Sequence, residues 1–157
     1  MSGINAMFAS GFARRETYLD PTQMAADIKP WEHRYVLLDK RGFSVDVDQV
    51  CSVRHQLSLL HFAGRTEIAG PIPAGCIAFG FTYHPENGGY LGVKPFARDE
   101  IGCMVDGEEF DLTAPQDSDL VVLVFARAWF ESLAVGVLGD AVLSARDDYK
   151  LRLQSPQ

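Results

Sequence analysis

The order of two hydrophobic patterns constrains the fold of this chain more than any other feature of its sequence. Residues 34–125 consist of short alternating or apolar runs separated by glycine-containing turns, and residues 127–138 then follow a helical repeat. Alternation of apolar and polar residues is typical of β-strands with one buried face, whereas a helical repeat is typical of an amphipathic helix. This order predicts a mainly β domain, either an antiparallel barrel or a double sheet, followed by one helix or more.

Three glycine-containing segments predict the turns of the sheet. They are residues 40–42, 86–89 and 106–107, and each lies between apolar or alternating runs. Glycine adopts the positive φ angles that tight hairpins need. We therefore expect hairpins at these positions and a mostly antiparallel sheet.

The alternation also predicts which side chains face the interior. Residues 43–48 alternate between apolar and polar, which predicts a strand with one buried and one acidic face. In residues 53–62, His55 and His61 have the same parity as a valine and two leucines. We therefore expect both histidines to point inward.

Two later runs predict further strands of the core. After residues 71–75, the large side chains Phe79, Phe81 and Tyr83 alternate with small ones, which would let another layer approach closely. Residues 119–125 are apolar almost throughout, as expected of a central or barrel-closing strand. This is the most strongly marked strand of the sequence.

Helix signals occur only toward the two ends of the chain. Asp20 followed by Pro21 is typical of a helix N-cap and first turn, and Pro30 predicts that this short helix has ended before Trp31. Residues 128–138 place aromatic and aliphatic side chains on one side of a second helix. The fold therefore has a short N-terminal helix as well as a C-terminal one.

Length, charge and cysteine content limit the functions open to the chain. A length of 157 residues with 47% hydrophobic residues fits one folded domain, and no apolar run approaches the length of a membrane span. A formal net charge of −7 repels a phosphate backbone, so this chain alone is not expected to hold nucleic acid. Three widely spaced cysteines, Cys51, Cys76 and Cys103, suit buried, reduced thiols. We expect a cytoplasmic protein with no membrane partner.

Three roles are open to His55 and His61: metal ligands, polar groups of a small-molecule pocket, or, most commonly for such residues, hydrogen-bonded and partly buried side chains that bind no ligand. The sequence contains no His-x-His pair, and His55, His61 and Glu67 lie six residues apart. Six residues of straight strand span about 20 Å, which is too far for two ligands to reach one ion unless a bulge intervenes. No serine, cysteine or lysine lies in a recognisable nucleophile motif, and no glycine cluster lies between a strand and a helix to bind phosphate. Polar contacts in an otherwise apolar small-molecule pocket therefore fit the histidines better than a metal site.

Several short stretches, taken together, resemble the N-terminal regulatory domain of AraC/XylS-type transcription regulators, in particular those similar to the ethanolamine-operon regulator. They are mostly turns and core positions, and the resemblance extends from Asp20 to about Leu153. The matching stretches are residues 20–31, 35–43, 56–60, 73–80, 106–112 and 120–125.

This resemblance implies a cupin-like barrel that senses an effector and dimerises, followed by a C-terminal DNA-binding module of paired helix-turn-helix units. On that basis residues 1–15 are a flexible N-terminus, residues 16–146 the sensing and dimerisation domain, and residues 147–157 the start of a linker to a DNA-binding domain absent from this chain. The resemblance transfers no catalytic residue, and no cofactor or metal is expected.

The strand parity and the helical repeat together predict two functional surfaces. A small-molecule effector would lie inside the barrel, with Trp31 as a possible lid, and its expected contacts are His55, His61, Phe79, Phe81, Tyr83 and Trp31. A homodimer would form through the second helix, unless this helix merely covers the barrel. The expected interface residues are Trp129, Phe130, Leu133 and Val137.

Two other functions stay open at this stage. One is a small cupin-like metal-dependent enzyme, an isomerase or oxygenase, using His55, His61, His84 and a carboxylate. The other is a partner-binding domain whose barrel is filled by its own side chains. One barrel fold hosts many functions, so fold alone does not choose among them.

Overall fold

In the computed structural model, the strands are distributed over two antiparallel sheets that enclose a common core. The structure describes residues 11–83, 89–97, 100–138 and 150–152, and their side chains except at 83, 135–138 and 150–152. The strands within these ranges are β1 Phe12–Tyr18, β2 Arg34–Leu37, β3 Val45–Cys51, β4 His55–Phe62, β5 Thr66–Pro71, β6 Cys76–Tyr83, β7 Tyr90–Leu91, β8 Lys94–Pro95, β9 Glu100–Val105, β10 Glu109–Ala114, β11 Ser118–Ala126 and β12 Lys150–Arg152. The helices are α1 Pro21–Asp27 and α2 Arg127–Leu138.

One sheet has the strand order β1-β3-β4-β11-β6-β9-β12, and the other has the order β2-β5-β10-β7-β8. From β4 to β11 the chain passes back and forth between the two sheets, apart from the β7–β8 pair. Side chains from the facing surfaces of both sheets form one core. The expected mainly β, antiparallel architecture is confirmed as a double sheet, and within the described ranges the two sheets are not hydrogen-bonded into a closed barrel.

The ends of the described chain also carry strands. β1 begins at Phe12, inside the segment predicted to be flexible, and β12 lies inside the segment predicted to begin a linker. β1 pairs with β3, and β12 pairs with β9. Residues 1–10 and 153–157 lie outside the described ranges.

The predicted glycine turns connect strands, but not as hairpins. Residues 40–42 join β2 to β3 and residues 106–107 join β9 to β10, and in each case the two strands belong to different sheets. Gly107 does adopt a positive φ of 84°. In the segment 86–89, only Gly89 is described, with a φ of 84°. The hairpin interpretation of the two described turns is wrong because a turn signal marks a change of direction and does not determine which strand the chain pairs with next.

The predicted faces of β3 are confirmed, whereas those of β4 are reversed. β3 buries alternate residues beginning with Val45 and Val47. In β4, His55 is exposed and His61 is only partly buried, and the buried positions are Gln56, Ser58, Leu60 and Phe62. Val45 pairs with Phe62 and Val47 with Leu60, and directly paired residues lie on the same face of a sheet. The inward-facing prediction for the histidines is therefore wrong.

β6 shows the same reversal. The inward positions of this strand are its small residues, so Cys76, Ala78 and Thr82 are buried in the core. Phe79 and Phe81 lie on the outer face of the sheet. The run at residues 119–125 lies within β11, which pairs with β4 on one side and with β6 on the other, so its central position is confirmed.

Both predicted helices are present. The Asp20 carboxylate accepts hydrogen bonds from the backbone N–H of Thr22 at 2.7 Å and of Gln23 at 3.4 Å, and thereby caps α1. Arg127 begins α2 and donates to Asp106 at 2.6 Å and to Glu131 at 2.7 Å. Neither of the described helices is long and apolar enough to cross a membrane.

All three cysteines are buried, as predicted. Burial, followed by the charge of Asp106, raises the pKa of the Cys76 thiol to about 11. A thiol with a raised pKa is a poor nucleophile at neutral pH. Cys76 is therefore part of the core and carries no reactive chemistry there.

Candidate functional site

A cavity of about 110 Å³ lies between the two sheets. Its wall is almost entirely apolar, and four aromatic residues, Trp31, Tyr35, Phe96 and Phe110, contribute to it. Small-molecule sites are usually concave and apolar, with a few polar groups that fix orientation. The cavity has this character.

One row of paired residues across the seven-stranded sheet forms the floor of the cavity. The register joins Gln49 to Ser58, Ser58 to Val122, Val122 to Gly80 and Gly80 to Gly102. All five residues line the cavity. The row is polar at one end, where Gln49 and Ser58 lie on β3 and β4. At the other end, on β6 and β9, its residues are glycines and have no side chains.

The two glycines leave the space that makes the cavity possible. A Cβ atom added at Gly80 would have only the Val121 carbonyl oxygen as a close neighbour, at 3.7 Å. One added at Gly102 would lie 3.4 Å from the Gly80 carbonyl oxygen and 3.7 Å from the Phe96 ring. These are ordinary van der Waals distances, so the glycines are not required by close packing. Their effect is to leave room on the inner face of the sheet.

Gln49 supplies a polar group with an open hydrogen-bonding position. Its side chain is 4% exposed, and its Nε2 donates to the Ser58 hydroxyl at 2.8 Å. The Gln49 Oε1 atom is buried and has no partner. An unsatisfied buried acceptor is unfavourable, and in a native structure it calls for an explanation. A ligand that donates a hydrogen bond would supply the missing partner.

His33 supplies a second polar group of the same kind. Its ring packs against Trp31 at 4.5 Å and edge-on against Phe110 at 4.9 Å between centroids. Its Nδ1 atom lies 3.4 Å from the Tyr35 hydroxyl, and its buried Nε2 atom has no partner. Burial lowers the pKa of His33 to about 3, so the ring is neutral at physiological pH.

Gly70 on β5 allows His33 to occupy this position. A Cβ atom at residue 70 would lie 2.7 Å from the Glu32 carbonyl oxygen and 3.1 Å from the His33 Cδ2 atom. The first distance is shorter than real Cβ contacts, so the backbone at Glu32 would have to move. The absence of a side chain at Gly70 therefore positions the segment that carries His33.

The charges near the cavity lie outside its lining. Among the described residues that line it, none is aspartate, glutamate, lysine or arginine. Arg14 is the cross-strand neighbour of Gln49 on β1, and its Nε atom is buried without a partner. The lining is thus uncharged, and β1 places charges of both signs beyond it, Arg14 beside Gln49 and Glu16 beside Val47.

A wider and more polar cleft of about 550 Å³ adjoins the cavity. It shares Leu91, Met104 and Phe110 with the cavity lining, and it also contains Arg34 and Asp111. Because these three residues line both spaces, the cleft lies next to the cavity. We therefore expect a ligand to enter the cavity from this cleft.

Of the six predicted ligand contacts, the structure places Trp31 in the cavity wall. His55, His61, Phe79 and Phe81 lie on the opposite face of the seven-stranded sheet, which is a correction to the predicted pocket. The physical reason is the strand parity of β4 and β6, set by their pairing with β3 and β11. The side chain of Tyr83 lies outside the described residues.

The outward histidines make surface contacts. His61 Nδ1 lies 2.8 Å from an Asp119 carboxylate oxygen, and both side chains are partly exposed. His55 Nδ1 lies 3.0 Å from the Ser52 hydroxyl, and its ring stacks with Trp129 at 6.1 Å between centroids. These contacts explain both histidines without a ligand.

The predicted interface residues of α2 are divided between covering the sheet and facing outward. Trp129 and Phe130 pack on Phe125 of β11, and Phe130 also packs on Phe79 of β6. Leu133 is 49% exposed. The side chain of Val137 lies outside the described residues. The helix therefore covers part of the outer face and leaves at least Leu133 available for contact, so the dimer interface stays a prediction.

No cluster of three or more metal-ligating side chains occurs in the described part of the chain. Glu67, considered as a ligand from its spacing, pairs instead with Arg34 at 3.1 Å. His84, part of the predicted enzyme alternative, lies outside the described residues. The enzyme alternative gains no support from these positions.

Sequence reasoning missed His33, Gln49 and Ser58. For Gln49 a signal was present, because the alternation of Val45 and Val47 continues to residue 49 and places a polar side chain on the buried face. The position of Ser58 beside Gln49 can be inferred only when the register of β3 and β4 is known. For His33, which precedes β2, no sequence pattern predicts its burial.

Comparison of the chain with protein-family models, with curated proteins and with solved structures found no match.

Proposed function

We propose that this chain is a ligand-sensing domain that holds a small molecule in the cavity between its two sheets. The observation that carries this proposal is a pair of buried polar atoms without partners, Gln49 Oε1 and His33 Nε2, on residues that line an apolar cavity. Such atoms are uncommon in native structures, and two of the four found among the described residues belong to residues that line this one cavity. A bound molecule would fill the cavity and supply the missing hydrogen bonds.

The proposal extends to transcription through the resemblance to AraC/XylS-type regulators. A chain that passes back and forth between two facing antiparallel sheets is compatible with a cupin-like architecture. In this proposal the DNA-binding module lies outside this chain, and ligand binding here controls it. The net charge of −7 fits this division, because DNA contact would belong to the other module.

Self-association is the second part of the proposed function. The outer face of the seven-stranded sheet and the helix α2 that packs on it expose an outer patch, which we define as Val50, Leu57 and Leu59 of the sheet and Leu133 of the helix, all 39–51% exposed. Val50 pairs directly with Leu57, so the patch is continuous across β3 and β4. Exposed apolar patches often mark protein interfaces. We propose that a second copy of the chain covers this patch together with α2.

A ligand screen tests the sensing function directly. Uncharged and charged small molecules are added one at a time to the purified chain, and the melting temperature is recorded. A ligand that binds only the folded state raises the melting temperature with concentration. The matched control is a Gly80→Val variant, in which the added side chain occupies the cavity. A ligand that stabilises both proteins equally binds elsewhere, and that result would count against the proposed site.

The regulatory part needs a separate measurement. The chain is fused to a DNA-binding module of paired helix-turn-helix units that drives a reporter gene, and the reporter is measured with and without a stabilising ligand. Ligand-dependent expression supports the proposed output. Constant expression from a fusion that still binds the ligand would remove transcription from the proposal while leaving sensing intact.

A further inference from the structure

We propose that the ligand is an uncharged alcohol built on a single six-membered ring, a phenol or a cyclic alcohol, with its hydroxyl group at the Gln49 end of the cavity. This inference rests on the proposed sensing function and specifies the chemical class that the site accepts. It follows from three properties of the cavity: its size, its lack of charge and the hydrogen-bonding atoms that it leaves open.

The size of the cavity limits the ligand to a few heavy atoms. Its volume is about 110 Å³. An apolar cavity of about 150 Å³ in another protein binds benzene, so a space of this order holds one ring and little more. A larger molecule would have to extend from the cavity into the adjoining cleft, so the part of the ligand that enters the cavity is a single ring.

The lining selects against charged ligands. No described lining residue carries a carboxylate, ammonium or guanidinium group, and His33 is neutral. Moving an ion from water into such a space is strongly unfavourable without a partner of opposite charge. Beyond the lining, β1 places Arg14 beside Gln49 and Glu16 beside Val47, so these outer charges favour neither a cation nor an anion. A carboxylate gains no direct partner, because Arg14 is not among the lining residues.

The open polar atoms select a hydroxyl group. Gln49 Oε1 can only accept, so the ligand must donate a hydrogen bond to it. His33 Nε2 donates or accepts according to its tautomer, and the Nδ1 contact with the Tyr35 hydroxyl is compatible with both tautomers because a hydroxyl group donates and accepts. A hydroxyl group both donates and accepts, so it can satisfy either atom. Trp31, Phe96 and Phe110 provide the apolar wall for a ring.

A matched series of four probes tests the inference by calorimetry on the unmodified protein: phenol, benzene, cyclohexanol and benzylamine. Phenol and cyclohexanol are expected to bind, benzene about tenfold more weakly because it leaves the buried acceptor unpaired, and the benzylammonium cation not measurably. Equal affinity for phenol and benzene would overturn the hydroxyl assignment. Tighter binding of benzylamine, or of benzoate added as an anionic probe, would overturn the neutral-ligand assignment.

Variants locate the hydroxyl contact. Gln49→Leu should bring the affinity for phenol to within about twofold of that for benzene, because the acceptor is lost while the apolar volume is kept. Gln56→Leu is the matched control, since Gln56 is also buried with an unpartnered Oε1 atom but does not line the cavity. A preference for phenol that survives in Gln49→Leu would contradict the proposed orientation.

The outcomes separate this inference from the proposed function. If benzene or a charged probe binds better than phenol and Gly80→Val abolishes that binding, the cavity is a site and only the ligand class is wrong. If none of the neutral or charged probes binds, the inference is overturned, and the wider ligand screen described above then decides whether the cavity is a site at all.

Discussion

Gln49 donates a hydrogen bond to Ser58 across strands β3 and β4 at 2.8 Å, and this contact holds a buried amide whose carbonyl oxygen has no partner. Burying an acceptor without a hydrogen bond costs about 1–3 kcal/mol. The fold tolerates this cost at one end of its cavity, where a ligand can remove it. Local sacrifices of stability of this kind are expected at functional sites.

The pairing of Gln49 with Ser58 gives a first prediction about stability. Ser58→Ala removes the acceptor of the Gln49 amide and leaves a buried N–H group unpaired, so the free energy of unfolding should fall by about 1–3 kcal/mol. Adding Gln49→Leu to this variant removes the unpaired amide and should recover most of the loss. Urea denaturation of the two single variants and the double variant measures the coupling. Additive effects would show that the two side chains do not depend on each other.

A second prediction concerns the empty end of the cavity floor. Gly80→Ala should raise the free energy of unfolding of the ligand-free protein by about 0.5–1 kcal/mol, because alanine restricts the unfolded chain and the added Cβ meets no close contact. The same change should weaken binding of a cavity ligand. Gly42→Ala is the control, since a Cβ at that loop position has nothing within 4 Å and lies away from the cavity lining. A Gly80→Ala variant that is less stable than the parent would mean that the cavity is closed in solution.

A third prediction concerns the close approach at Gly70. Gly70→Ala places a Cβ atom 2.7 Å from the Glu32 carbonyl oxygen, so the segment that carries His33 must shift. Overpacking of this kind costs about 1–3 kcal/mol. The variant should lose both stability and ligand affinity, whereas Ala69→Ser, the neighbouring position of β5, should change neither by much. Melting curves with and without ligand measure both effects. Unchanged ligand affinity would show that the position of His33 does not matter for binding.

The fold was more predictable from the sequence than the site was. The strands and both helices have local signals, such as the Asp20-Pro21 cap and the alternation at Val45 and Val47, and these were interpreted correctly. The faces of β4 and β6 were reversed because both faces of these strands carry apolar residues, so the period of two does not say which side is inward. The inward face of each strand is determined only by the pairing of β4 with β3 and of β6 with β11. The predicted histidine pocket depended on this choice of face.

The cavity itself depends on long-range register, which no local pattern contains. Its floor joins Gln49, Ser58, Val122, Gly80 and Gly102 from five strands that are scattered along the chain. Each residue is unremarkable alone, and only their alignment leaves a polar end and an empty end. Trp31 was identified from its position just after the helix stop at Pro30, but the aromatic contacts of His33 have no such local signal.

A fourth prediction tests self-association through the outer patch. Leu59→Lys places a charge in the middle of this patch, on a side chain that is 42% exposed, so the monomer should fold as before while the dimer dissociates. Light scattering at several protein concentrations measures the change in mass. Leu38→Lys, at a 43% exposed position after β2, is the control with the same substitution on a different surface. An unchanged mass for Leu59→Lys, or an equal loss for Leu38→Lys, would exclude the patch as the interface.

The last prediction concerns pH and the anchor of α2. The Asp106 carboxylate accepts from Arg127 Nη1 at 2.6 Å and from the Gly75 backbone N–H at 3.1 Å. The hydrogen bond from Arg127 is the largest of the causes that lower the pKa of Asp106 below its ordinary value of 3.8. Because the folded pKa is lowered, the stabilisation is fully present above the pKa of the unfolded chain and is lost as the pH falls through the folded pKa.

Asp106→Asn should therefore lower the free energy of unfolding at pH 7 by about 1 kcal/mol, a value reduced from that of a buried charged hydrogen bond because both side chains are partly exposed. The difference from the parent should shrink below pH 3.8 and vanish once the parent carboxylate is protonated in the folded state. Urea denaturation between pH 7 and pH 3 measures it, with Asp111→Asn on β10 as the control for the change in net charge. A difference that stays constant down to the lowest pH at which the parent still folds would mean that the charge of Asp106 does not contribute to stability.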